Sequence, residues 1–164
     1  MATKKSIIIV WAAVFCVLLG KYCLDPNRMD TKQVLKTKGA QTSKDYMLSS
    51  LNVTAFARVK RELMWIGTSA GINVYDGKDY IQFFHDVKDT AALPDDYINT
   101  LHLDRKGRMW VGTQNGLARY VGAYRFHRIP LPEATGGNVV AIEDAKDGVL
   151  VSDGRNTYLV KDDD

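Results

Sequence analysis

From residue 50 to residue 160, apolar side chains tend to recur at every second position in short runs, separated by turns rich in Gly, Asp and Asn. That period belongs to strands with one buried face, not to helices. Residues 98–103 alternate loosely, Asp104-Arg105-Lys106-Gly107 makes a turn, and residues 109–113 form a second strand. Asn115-Gly116 reads as a hairpin turn, since both residue types tolerate positive φ, and residues 117–120 and 125–129 complete a set of four. The preceding stretch has the same order, with strands expected at 53–59, 63–68, 72–75 and 80–84, the last after an Asp76-Gly77 turn. A weaker third set covers 139–144, 148–152 and 157–160, with Asp153-Gly154 in its last turn and no fourth strand before Asp162-Asp163-Asp164.

The first two sets are copies. Met64-Trp65-Ile66-Gly67-Thr68-Ser69-Ala70-Gly71-Ile72-Asn73-Val74-Tyr75 matches residues 109–120 at six of twelve positions, at an offset of 45. The shared residues include Trp65, Gly67, Thr68 and Gly71 in one copy and Trp110, Gly112, Thr113 and Gly116 in the other. Self-similarity at about 40–45 residues signals a repeated four-stranded unit of the propeller-blade kind. The expected fold is therefore all-β: a partial β-propeller of two four-stranded blades and an incomplete third. The third copy lacks the tryptophan. Trp65 and Trp110 are expected on equivalent second strands, each filling the gap to a neighbouring sheet.

Ahead of the strands lies a different pattern. A basic start with Lys4 and Lys5 is followed by fourteen uncharged, mostly apolar residues from Ile7 to Gly20. This matches a secretory h-region or a short signal anchor, expected as a hydrophobic helix over residues 6–20 that meets a membrane. Residues 1–24 thus read as signal peptide or anchor, 25–45 as a polar linker, and 46–164 as the folded body. Lys21, Arg28, Lys32, Lys36 and Lys38 follow the apolar run, and by charge count alone they would hold the body in the cytoplasm. Long folded segments cross largely regardless of such charge, so export to the periplasm is the expectation.

Charge sharpens the division. Residues 1–45 carry eight Lys and Arg against three Asp, whereas residues 46–164 carry fourteen against sixteen acidic side chains. A mildly acidic body argues against nucleic acid as a partner. Both cysteines, Cys16 and Cys23, lie in the leader, so the body has neither a disulfide framework nor a thiolate metal site. His85, His102 and His127 have no ligand spacing, no phosphate-cradling glycine loop is present, and the acids do not converge as a glycosidase requires. No metal, no cofactor and no enzymatic activity are expected.

Trp65-Ile66-Gly67-Thr68-x-x-Gly71-Ile72 and Trp110-Val111-Gly112-Thr113-x-x-Gly116-Leu117-x-x-Tyr120 resemble the two-component regulator propeller repeat. Leu93-Pro94-Asp95-Asp96-Tyr97-Ile98 and Asp104-x-x-Gly107-x-x-Trp110 are similar to that family's blade start and first turn, while Val59 and Glu62 replace the turn's usual Asp and Gly in the first copy. The resemblance implies the periplasmic sensor region of a membrane histidine kinase, often a Bacteroidetes-type hybrid reporting glycan fragments, here without the kinase core. A generic propeller interaction module is the alternative. Loops entering the blades, and those between second and third strands, then become the expected oligosaccharide site: Asp95, Asp96 and Tyr97, with Ser69, Gln114 and Asn115. Closed propellers have about four to eight blades. Fewer than three are expected to require the remainder of a sensor kinase or self-association.

Overall fold

The computed structural model describes residues 48–60, 63–132 and 137–161. The expected leader helix, the linker and the membrane contact through residues 6–20 lie outside the described residues. Among the described residues there is no helix, and none long and apolar enough to cross a membrane.

Among the described residues eleven strands form three antiparallel sheets, each a meander in chain order. The first sheet is β1 (Val53–Lys60), β2 (Leu63–Thr68), β3 (Gly71–Tyr75) and β4 (Tyr80–Phe83). The second is β5 (Ile98–Leu103), β6 (Met109–Thr113), β7 (Gly116–Gly122) and β8 (Arg125–Ile129). The third holds β9 (Ala141–Ala145), β10 (Gly148–Ser152) and β11 (Thr157–Lys161), with β11 at its edge. Val139 and Val140, expected to open the third set, precede β9. Their N–H groups donate to the carbonyls of Thr113 and Ser152 and so tie the chain to two strand ends.

Alternation sorts side chains onto two faces. In the first sheet Leu63, Trp65, Ile72, Val74, Ile81 and Phe83 turn toward the second. They are met by Leu101, Met109, Val111, Ala118, Tyr120 and Phe126 in one buried cluster. The opposite face of the second sheet, with Trp110 and Leu117, packs on Val139, Ile142, Val149 and Val151. Trp65 pairs with Val74 and Trp110 with Arg119, equivalent places on second strands. They are 1% and 2% exposed, so each indole is enclosed between two sheets.

The glycine two residues after each tryptophan is dictated by that approach. A Cβ on Gly67 would stand 2.6 Å from Ile98 Cγ2, and one on Gly112 would stand 2.6 Å from both Thr100 Cγ2 and Val139 Cγ1. The threonine after it closes the hairpin. Thr68 and Thr113 are fully buried, and their hydroxyls donate to the carbonyls of Gly71 and Gly116 at 2.9 and 2.8 Å. They also accept from the amides of Ala70 and Asn115. The second hairpin differs from the expected Asn115-Gly116 turn: Gln114 and Asn115 form it, because Thr113 pairs with Gly116. Positive φ falls only on Gly116, at 142°.

Asp104 braces the turn before β6. Its carboxylate accepts from the Arg108 backbone N–H at 2.9 Å, from Arg108 Nε at 2.6 Å and from Trp110 Nε1 at 2.8 Å. Burial by itself pushes this carboxyl up, but the hydrogen bonds from Trp110 and Arg108 and the guanidinium charge outweigh it and hold it below the usual carboxylate range. In the first sheet Val59 stands in that place, and Trp65 Nε1 is buried without a partner. The third sheet departs further. Ile142 pairs with Val151 as Leu101 pairs with Val111, so the preceding residue, Leu150, takes the tryptophan position. Leu150 faces away from the second sheet and is 39% exposed.

Two outcomes follow from this packing. Gly112→Ala forces a Cβ into Thr100 and Val139 and should cost about 1–3 kcal/mol in urea unfolding, the range for an overpacked core; an unchanged midpoint would contradict the close approach. Asp104→Ala removes the buried acceptor of Trp110 Nε1 and of Arg108 N and Nε and should cost about 3 kcal/mol at neutral pH. The native pKa of Asp104 lies below its unfolded value, so its contribution is present above roughly pH 4 and lost as pH falls through the native value. The difference in stability between wild type and variant should therefore shrink toward pH 2, measured by denaturant titration across pH.

Candidate functional site

Pairing of Val53 with Thr68 and of Ile98 with Thr113 brings the start of each first strand beside the end of each second strand. The turns β2–β3 and β6–β7 and the segments entering β1, β5 and β9 therefore share one rim. Backbone bonds lace it together. Ser69 N donates to Asn52 O, and Gln114 N, 45 residues later, donates to Tyr97 O at 3.0 Å. Gly71 N donates to Asp96 O at 2.7 Å, and Val139 N to Thr113 O, so each unit's turn is also bonded to the next unit's entry.

All six expected ligand residues lie on this rim, in two different roles. Asp95 Oδ1 accepts from Tyr97 N at 2.7 Å, and Asp96 Oδ1 accepts from His85 N at 2.6 Å. Both carboxylates are thereby engaged in shaping their own loop. Ser69 shares a hydroxyl contact with Ser50 at 3.0 Å. Tyr97, Gln114 and Asn115 are exposed, and the Tyr97–Gln114 backbone bond holds the first two side by side. The rim thus carries an exposed aromatic residue and two exposed carboxamide residues, with a stacking face and hydrogen-bond donors and acceptors among them.

The loop carrying Asp95 to Tyr97 runs from residue 84 to residue 97, long for a connection without strands or helices of its own. Sequence reasoning passed over what fixes it. Arg128 on β8 donates from Nε to Ala92 O at 3.1 Å, and from its terminal nitrogen to Asp89 O and Leu93 O. His85 Nδ1 meets Leu93 O at 2.8 Å, and Asp89 caps Ala91 N. Asn99 and Asn138, bonded through their side chains at 2.8 Å, also join neighbouring entries. The only advance sign was an arginine at position 128, on the same face of β8 as the buried Phe126, where alternation calls for an apolar residue.

The remaining histidines are dispersed. His102 Nε2 sits 3.4 Å from Asp144 Oδ1 without hydrogen-bond alignment, and His127 is exposed on β8. Among the described residues no three His, Cys, Asp or Glu side chains are grouped to hold a metal ion.

Comparison with known proteins bears on this arrangement. The model of the two component regulator propeller family matches residues 92–115, which run from the rim loop through β5 and β6 to the β6–β7 turn. No curated protein matches the chain. Among solved structures it is similar to the extracellular domain of the putative one component system BT4673 from B. thetaiotaomicron, at 24% identity and a TM-score of 0.52, over 61% of this chain and 14% of that one. A second structure of BT4673 describes it as a putative hybrid two component system. The extracellular domain of the putative hybrid two component system BT3049 from the same organism gives 22% identity and a TM-score of 0.54, over 63% of this chain and 16% of that one. The chain thus spans about one-seventh of the length of these structures. Residues 92–115 match the two component regulator propeller model, and the three sheets are similar in fold to the extracellular domains of these B. thetaiotaomicron proteins.

Proposed function

We propose that the chain is part of the extracytoplasmic sensor body of a two-component system, its sheets being two complete blades of a propeller and a third without its outer strand. The observation that carries this reading is the family match at residues 92–115, which coincides with the second sheet's rim loop, first two strands and turn. Residues 1–24 would then export or anchor the body, and residues 25–45 would space it from the membrane. On this reading the chain recognises a ligand and does not catalyse. Phosphoryl transfer belongs to a kinase outside residues 46–164. The ligand class we favour is an oligosaccharide bound across Tyr97, Gln114 and Asn115, with Ser69 at the neighbouring turn and Asp95 and Asp96 shaping the loop beneath.

Export is tested by fusing alkaline phosphatase or β-galactosidase after Lys161. The phosphatase fusion should be active and the galactosidase fusion inactive, whereas the reverse, with a soluble cytoplasmic pool, would favour an interaction module without a signalling role. Ligand recognition is tested on a glycan array followed by calorimetry. Tyr97→Ala and Gln114→Ala should each weaken a captured oligosaccharide about tenfold, equivalent to about 1.4 kcal/mol, with the melting temperature unchanged. Asp96→Ala should instead lower stability by about 1 kcal/mol by removing the acceptor for His85 N. Equal binding by wild type and both rim variants would sink the assignment.

A further inference from the structure

The segments entering the first two sheets are fastened from the outer strand of each sheet, and the two fastenings stand at one place in the repeat. Gln82 on β4 pairs with Asn73 on β3, as Arg128 on β8 pairs with Ala118 on β7. Asn73 and Ala118 are 45 residues apart, and both are fully buried. In the first sheet Gln82 Nε2 donates to Asn73 Oδ1 at 3.2 Å. Asn73 in turn clasps Ser49 in both directions. Its Oδ1 accepts from Ser49 N at 2.8 Å, and its Nδ2 donates to Ser49 Oγ at 2.7 Å. Ser49 Oγ also lies 3.0 Å from Thr68 Oγ1, the hydroxyl that closes the β2–β3 turn.

In the second sheet the pairing neighbour is only a methyl group, and one long side chain reaches the entering segment by itself. Arg128 donates to the carbonyls of Ala92, Asp89 and Leu93 at 3.0–3.1 Å, and to that of Asp86 at 3.4 Å. Ser49 stands four residues before β1, and Leu93 five before β5. Arginine beside alanine thus does in one unit what two amides do in the other. Strand pairing needs none of these side chains, since it runs through the backbone. A polar group is kept in a buried place only where its hydrogen bonds are made, and here those bonds run to the segment entering the blade.

We propose that Asn73 with Gln82 in the first unit, and Arg128 in the second, are positioning residues of the rim. They fix the entering segments, and through them Ser69, which is bonded to Ser50 and Asn52, and Tyr97, which follows the pinned loop. The physical gain is preorganisation: a segment already held in shape loses little conformational freedom when a ligand arrives. The 84–97 loop depends on this most, having no strand or helix of its own. The role in recognition deepens the sensor reading and rests on it, whereas the fastening does not.

The test is hydrogen–deuterium exchange on the full chain, read segment by segment by mass spectrometry. Arg128→Met keeps an unbranched stem and removes every donor. Uptake over residues 86–93 should become about tenfold faster, while β6 and β7 exchange as in wild type. Arg128→Lys keeps the charge but not the planar fork, and should recover only part of the protection. Asn73→Ala gives the first unit the residue of the second, and should loosen residues 48–52 with β2 and β3 unchanged. An oligosaccharide captured by wild type on the glycan array should bind Arg128→Met about tenfold more weakly. Equal affinity despite a loosened loop would overturn the positioning role. Unchanged uptake in the entering segments, or faster uptake spread equally through β6 and β7, would overturn the fastening itself. With no capture by wild type, the oligosaccharide reading fails and the exchange rates alone decide the proposal.

Discussion

Two neighbouring sheets can enclose an indole only if their backbones come close enough on either side of it, and that distance governs much else in this molecule. Where the next sheet begins, Ile98 and Val139 stand so near β2 and β6 that no Cβ fits at Gly67 or Gly112. Two residues earlier in each strand the gap is wide enough for Trp65 or Trp110. One residue later the chain must leave the sheet, and the buried hydroxyls of Thr68 and Thr113 satisfy the hairpin groups that the crowded site hides from water. Tryptophan, glycine and threonine are three answers to one separation.

The units then diverge in how each indole N–H is treated. Trp110 donates to Asp104, whose other bonds hold Arg108 and the turn, so one carboxylate couples a hairpin to an interface. Trp65 forgoes that bond, and its surroundings are aromatic on several sides. An unpaired buried donor costs about 1–3 kcal/mol, and the ring contacts, each worth about 0.5–1.5 kcal/mol beyond burial, are of the size needed to offset it. The third sheet presents only Leu150 at this position, on a face with nothing described beyond it.

Strand positions were legible because one face of most strands is pressed on a neighbour and the other is not, which writes a period of two into the sequence. The offset of 45 between Trp65 and Trp110 carried the unit boundaries. What stayed hidden depended on counting residues in turns or on contacts between distant ones. From Ile142 to its partner Val151 is nine residues, one fewer than from Leu101 to Val111, which shifts the tryptophan position to Leu150, a change no local pattern betrays. Asp95 and Asp96 were expected on the rim from their place in the loop entering the second blade, but the bonds their Oδ1 atoms accept from Tyr97 N and His85 N are not written in that spacing. Arg128 serves carbonyls more than thirty residues away, beyond the reach of spacing arguments.

β8 does two jobs with consecutive residues. Ile129 packs on the buried cluster between the second and third sheets, while Arg128 beside it grips the loop that ends at Asp95, Asp96 and Tyr97. A small sliding or twisting of this one strand is felt at both places, since the guanidinium and its neighbour share a backbone. The inner rim and the outer edge of the second sheet are in this sense the two arms of a single rocker, with Arg128 as its pin.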